Sequence, residues 1–134
     1  MAKPSSNLRI LVVDDESFIR ESLAYYLEDC DYRVTVADSA EEALDISQHV
    51  AFDVGVIDLR LPGMSGEALI LELHKLRPAM RFIIHTGSVT FSLSEELKRI
   101  GVTSQHIFLK PVTDLTVIHK AILSLLDRPE LGDA

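Results

Sequence analysis

The sequence predicts an α/β protein, a doubly wound five-stranded parallel sheet built from five βα units, and three observations carry that prediction. Short apolar runs of strand length recur along the chain, segments of helical periodicity separate them, and residues that start or stop helices mark the joins. With 134 residues the chain falls in the size range of one domain, about 100–200 residues, so a single core is expected.

The elements follow in order. The run at 10–13 is apolar throughout, as a strand buried on both faces is. Ile19, Leu23 and Leu27 then recur at helical spacing. Arg33-Val34-Thr35-Val36-Ala37 alternates polar and apolar residues, which assigns it to a sheet edge with one solvated side. Ser39 stands three residues before Glu42, a capping-box spacing that opens a second helix. The run at 54–57 is another interior strand, and Pro62-Gly63-Met64-Ser65-Gly66 reads as a turn into a third helix carried by Leu69, Leu73 and Leu76 and closed by Pro78. The run at 82–84 is a fourth strand. Ser92 and Glu95 offer a second capping box for the helix that Gly101 ends. The run at 107–109 is read as an interior fifth strand, followed by a helix through Leu115, Ile118, Ile122 and Leu125, with Pro129 beyond it. Helices joining parallel strands by right-handed crossovers give the strand order 2-1-3-4-5 most simply. The expected domain covers residues 8–127, with 1–7 a flexible N-terminus and 128–134 a tail or the start of a linker.

Composition narrows the function classes. The hydrophobic share of 47% is that of a globular chain. No apolar run approaches the roughly 18 residues needed to cross a bilayer, and residues 1–7 lack the apolar stretch of a signal peptide, so a cytoplasmic home without membrane contact is expected. A net charge of −8 argues against direct nucleic-acid binding by this domain. Cys30 is the single cysteine, which excludes an internal disulfide and a cysteine-based zinc site and leaves it as packing. His49, His74, His85, His106 and His119 lack metal-ligand spacing and are assigned to surface or packing roles.

The informative residues are those that end the strands. Asp14 and Asp15 follow the first, Asp58 the third, Thr86 the fourth, and Lys110 with Pro111 the fifth. Ligands of an open α/β sheet bind beyond the carboxyl ends of the strands near the switch in strand order, so these residues are expected to converge. An acidic pair or a lone Thr or Lys at a strand end is ordinarily just a solvated loop; the joint occurrence is what carries weight. Three carboxylates at close range favour a hard cation, and Mg²⁺, with Mn²⁺ as an alternative, suits oxygen donors while leaving positions for phosphate oxygens. Asp58 then serves as a nucleophile toward a phosphoryl donor, Asp14 and Asp15 as metal ligands, and Thr86 and Lys110 as groups that contact the transferred phosphoryl.

At these residues the sequence resembles the receiver domains of bacterial two-component systems, of the chemotaxis-receiver kind, over about residues 8–126. The motifs are LVVDDE at Asp14 and Asp15, IDLRLPGMSG at Asp58, HTGS at Thr86 and FLKPV at Lys110. The resemblance implies a flavodoxin-like fold and aspartyl-phosphate chemistry on Asp58. It further implies the backbone carbonyl of Arg60 as a metal ligand, a histidine kinase or phosphotransfer protein as donor, and a signalling surface on the fourth helix, fifth strand and fifth helix. Arg60 and Ser88, two residues beyond Asp58 and Thr86, are candidates for tuning the phosphoryl lifetime. The chain departs from the family in carrying Ile107 where an aromatic switch residue is common, with Phe108 one place later, and in a longer segment at 101–106. Two other classes share part of this pattern. An aspartate-nucleophile phosphohydrolase of the haloacid-dehalogenase type has a DxD element, whereas Asp58-Leu59-Arg60 ends in a cation. A docking module that never receives phosphate rests only on Ile107.

Overall fold

A computed structural model describes residues 8–87 and 92–127. The chain runs β1 (Arg9–Val13), α1 (Ser17–Asp29), β2 (Arg33–Ala37), α2 (Ala40–Ser47), β3 (Val54–Ile57), α3 (Gly66–Leu76), β4 (Arg81–Thr86), α4 (Glu95–Arg99), a 3₁₀ turn (Ser104–His106), β5 (Ile107–Leu109) and α5 (Thr116–Asp127). All strand pairs are parallel and the sheet order is β2-β1-β3-β4-β5, as expected.

The alternation of side chains along each strand builds two cores, one on each sheet face. Leu11 and Val13 of β1, with Ile57, Phe82 and Ile84, pack against Leu69 and Leu73 of α3 and Leu97 of α4. Ile10 and Val12, with Val54, Val56 and Ile83, pack against Leu23 and Leu27 of α1 and Ile118 and Ile122 of α5. Interior strands with both faces covered therefore read as unbroken apolar runs.

Three sequence expectations are corrected. The run at 107–109 is not an interior strand: among the described residues β5 pairs only with β4, and Leu109 is 49% exposed. The order 2-1-3-4-5 leaves its last strand with one neighbour, and the apolar residues there finish the two cores, Ile107 against the α3–α4 side and Phe108 against the α1–α5 side. The cap of α4 is Ser94 rather than Ser92, its hydroxyl accepting from the Leu97 N–H at 3.2 Å. This register places Glu95 and Glu96 in the first turn, where the helix dipole favours them, and buries Leu97 completely. Gly101 ends α4 at φ +98°, with Val102 N–H returning to Leu97 O. At α2, Ser39 caps as expected through Glu42 N–H, but the Glu42 carboxylate takes the Asp38 N–H instead of closing a box on Ser39. The stop assigned to Pro129 and the segments 1–7 and 128–134 lie outside the described residues.

Candidate functional site

The sheet hydrogen-bond ladder continues one residue past the strands and sets the polar ends in a row. Asp14 N–H donates to Ala37 O (3.2 Å), Asp58 N–H to Val13 O (2.9 Å) and Lys110 N–H to Thr86 O (2.8 Å). Each side chain is then aimed locally. Asp14 Oδ1 accepts from Glu16 N–H (2.9 Å) and Asp58 Oδ1 from Arg60 N–H (3.0 Å), the same two-residue turn closed by a carboxylate. The Asp14 carbonyl takes a guanidinium N–H of Arg20, one turn into α1.

Lys110 joins the row. Its Nζ lies 2.8 Å from Asp14 Oδ2, 3.0 Å from Asp58 Oδ2 and 3.0 Å from Glu16 Oε1. Burial alone would pull the ammonium pKa down, but the hydrogen bonds to Asp14, Glu16 and Asp58 together outweigh it, so the group is held charged above its ordinary range. The Asp14 carboxyl moves the other way: burial raises its pKa, opposed by the Lys110 hydrogen bond and by the Glu16 N–H.

Asp14, Asp15, Glu16 and Asp58 each bring a carboxylate oxygen within 4.8 Å of the others. Four acidic groups thus face one ammonium, with Asp14 and Asp58 buried and Asp15 and Glu16 open to solvent. Hard oxygen donors, excess negative charge and a solvent-facing side together fit a divalent cation of the Mg²⁺ type.

The expected residues are accordingly brought together: Asp14, Asp15, Asp58 and Lys110 in one cluster, and Thr86, fully buried, at the end of the neighbouring β4. Arg60 is exposed and contributes its N–H to Asp58; Ile107 is half-buried one strand away, paired with Ile84. Ser88 lies outside the described residues. Glu16 and Arg20 were not singled out from the sequence, although Glu16 directly follows the acidic pair in LVVDDE. His85, one of the histidines expected in surface or packing roles, is only 4% exposed, and among the described residues neither ring nitrogen has a hydrogen-bond partner. The alternation that puts Ile83 on the α1–α5 face puts His85 there too. Each orphaned imidazole group costs about 1–3 kcal/mol.

Burial, then the Lys110 charge, pushes the His85 pKa down to about 4, against the opposing pull of Asp58 and Glu16. The folded protein therefore binds this proton only near pH 4, whereas the unfolded chain binds it near 6.5. The stability associated with neutral His85 is present above 6.5 and is lost as pH falls toward 4, on the order of 3 kcal/mol across the window. Chemical denaturation at pH 7 and pH 4 will show a larger loss in the wild type than in His85→Leu; parallel losses would contradict the burial of a neutral imidazole.

Comparisons with known proteins agree with this geometry. The sequence matches the family described as response regulator receiver domain over residues 10–123. It is 36% identical over 129 residues to the transcriptional regulatory protein FixJ of Azorhizobium caulinodans, covering 94% of this chain and 59% of that protein. The chain spans about half the length of the curated relatives it matches. Among solved structures it is similar to a CheY-like receiver domain protein from Methanospirillum hungatei (TM-score 0.77, 33% identity, 88% of this chain and 93% of that one). It is also similar to the response regulator TrrA of Thermotoga maritima in complex with Mg²⁺ and BeF (TM-score 0.77, 26% identity, 89% and 99%).

Proposed function

Because the chain belongs to the response-regulator receiver family, we infer that its strand-end cluster is a phosphoacceptor site and that Asp58 is the residue that takes the phosphoryl group. Receiver domains act in two-component signalling, phosphorylated by histidine kinases and regulating an output. The observation that supports the assignment is Lys110, whose ammonium contacts the two buried carboxylates of an acidic cluster from the far end of the sheet. Neither a phosphohydrolase nor a phosphate-independent docking module is favoured by the family match.

Asp14, Asp15, Asp58 and the Arg60 carbonyl would hold Mg²⁺, or Mn²⁺ in its place. Held there, the ion would neutralise the carboxylates and withdraw charge from the phosphoryl oxygens. A carboxylate oxygen of Asp58 attacks phosphorus, forming a P–O bond as the bond from phosphorus to the donor nitrogen or oxygen breaks; the donor leaves with that electron pair. Lys110, already 3.0 Å from the Asp58 carboxylate, moves with its charge to a phosphoryl oxygen, and the Thr86 hydroxyl donates to another. The domain covers residues 8–127, catalyses only its own phosphorylation and dephosphorylation, and works in the cytoplasm; no described helix is long and apolar enough to cross a membrane. Its donor is a histidine kinase or phosphotransfer protein, and the net charge of −8 leaves any nucleic-acid contact to another domain. Arg60 and Ser88 are the candidates for setting the phosphoryl lifetime.

Incubation with Mg²⁺ and acetyl phosphate, read by intact mass, will add one phosphoryl group, and chelation will prevent it. No gain in mass would overturn the reading. The response is separable from the transfer. Thr86→Ala will accept the label but lose most of the amide shift that beryllofluoride induces beyond β4 and on the face formed by α4, β5 and α5. Ile107, half-buried against the α3–α4 core, has no ring to flip, so Ile107→Ala will mainly lower stability, by about 2–4 kcal/mol. Full beryllofluoride shifts in Thr86→Ala would show that the hydroxyl does not carry the signal.

A further inference from the structure

A lysine ammonium has three N–H donors, and among the described residues three carboxylates meet those of Lys110: Asp14 Oδ2 at 2.8 Å, Asp58 Oδ2 at 3.0 Å and Glu16 Oε1 at 3.0 Å. No donor is left over for a phosphoryl oxygen, so one of these bonds has to open when a phosphoryl group arrives. Burial decides which. The side chains of Asp14 and Asp58 are 3% and 4% exposed, and losing the ammonium would leave either as a buried, poorly compensated charge. That of Glu16 is 58% exposed and passes into water at little cost. Glu16 can also swing by its side chain alone. It stands at the N-cap of α1, its N–H held by Asp14 Oδ1 and its carbonyl by the Arg20 N–H. Among the described residues its carboxylate caps no helix N–H and reaches across to Lys110 instead.

We propose that Glu16 sets which phosphodonors the site accepts: its carboxylate yields Lys110 to the incoming phosphoryl oxygen but stays at the mouth of the site as a negative charge, favouring monoanionic N-phosphoryl donors over dianionic acyl phosphates.

This role rests on Asp58 being the phosphoacceptor. Phosphoramidate and acetyl phosphate are the donors that isolate it. At pH 7 the nitrogen of phosphoramidate is protonated and the molecule is a monoanion, whereas acetyl phosphate is a dianion. With either one, an Asp58 oxygen forms the new P–O bond. The P–N bond of phosphoramidate breaks and ammonia leaves with the electron pair; the P–O bond to the acetyl group breaks and acetate leaves with it. Opening the Glu16–Lys110 pair costs the same for both donors. The carboxylate that remains at the mouth does not act equally, because it repels the dianion more strongly and can face the ammonium end of the monoanion. Both effects belong to an exposed charge, so salt screens them.

The full chain is incubated with saturating Mg²⁺ and each donor in turn, and the initial rate of phosphoryl gain is read by intact mass for the wild type, Glu16→Gln and Glu16→Asp. Glu16→Gln keeps an acceptor oxygen for Lys110 but loses the charge; it should raise the acetyl phosphate rate about fivefold and the phosphoramidate rate no more than about twofold. That change in donor ratio should shrink as ionic strength rises. Glu16→Asp keeps the charge but is one methylene shorter, so it should raise both rates by the same factor and leave the ratio as in the wild type. Without metal, the Lys110 ammonium resonance reports the contact directly, and its hydrogen exchange should quicken in Glu16→Asp. A wild-type donor ratio in Glu16→Gln, or an altered ratio that salt does not reduce, would overturn the proposal while leaving Asp58 as the acceptor. A wild type labelled by neither donor would overturn both.

Discussion

Asp58→Ala will gain no phosphoryl group from acetyl phosphate at any Mg²⁺ concentration, while remaining folded. The loss is expected to be complete rather than partial because the substitution removes the nucleophile together with one of the proposed metal ligands, and the neighbouring carboxylates are not equivalent to it. Asp14 is as buried as Asp58 and held by matching contacts, its Oδ1 by Glu16 N–H and its Oδ2 2.8 Å from Lys110, but it is proposed as a metal ligand, whereas the acceptor motif of the receiver family falls on Asp58. Asp15 and Glu16 are exposed, without the buried placement that fixes a reactive oxygen. The fold should tolerate the change. Lys110 keeps Asp14 and Glu16 as partners, the repulsion within the cluster falls by one charge, and the Arg60 N–H that loses Asp58 belongs to an exposed residue that water can serve. Intact mass gives the labelling and thermal denaturation the stability. A labelled Asp58→Ala, with the phosphoryl mapped to Asp15 or Glu16, would move the acceptor to the exposed side of the cluster; an unlabelled and unfolded one would instead make Asp58 structural.

How far the sequence carried these conclusions depended on whether a feature is local along the chain. The strands and the residues that end them were legible because a strand buried on both faces reads as an apolar run, and its polar terminus stands out at Asp14, Asp58, Thr86 and Lys110. The position of β5 was not legible from its own residues, since Ile107 and Phe108 are apolar for the sake of two different cores and look the same as an interior strand. Choosing Ser92 over Ser94 as a cap followed the serine-to-glutamate spacing, when the deciding fact was that Leu97 must point into the α3–α4 core. Glu16 was visible in LVVDDE but became interesting only when Lys110, 94 residues later, was found 3.0 Å from it. His85 was open in sequence to either a surface or a packing role and is core in space; that both its nitrogens lack partners among the described residues is a property of its surroundings, which no periodicity encodes.

Gly66→Ala is expected to have the largest effect on stability of any small substitution near the site, although Gly66 carries no chemistry. It is the first residue of α3, its N–H donates to Leu59 O at 3.0 Å, and it is buried against the chain that leaves β3. A methyl group placed on it would stand 2.1 Å from the Asp58 carbonyl oxygen and 2.7 Å from Leu59 Cα. Both are backbone atoms, so no rotamer change relieves the contact; either α3 must retreat or the Asp58–Leu59 peptide must shift. Overpacking of a well-fitted interior costs about 1–3 kcal/mol when side chains can yield, and a backbone contact of this kind should cost about 3 kcal/mol or more. The displacement falls on the residue proposed to be phosphorylated, so labelling should slow even at temperatures where the variant is fully folded. Gly87→Ala is the control, because among the described residues nothing lies within 4 Å of the position a methyl group would take there, and its stability should change by less than about 1 kcal/mol. Equal melting temperatures and labelling rates for Gly66→Ala and the wild type would show that α3 is free to move without carrying Asp58, and that the close approach of Gly66 does not position the site.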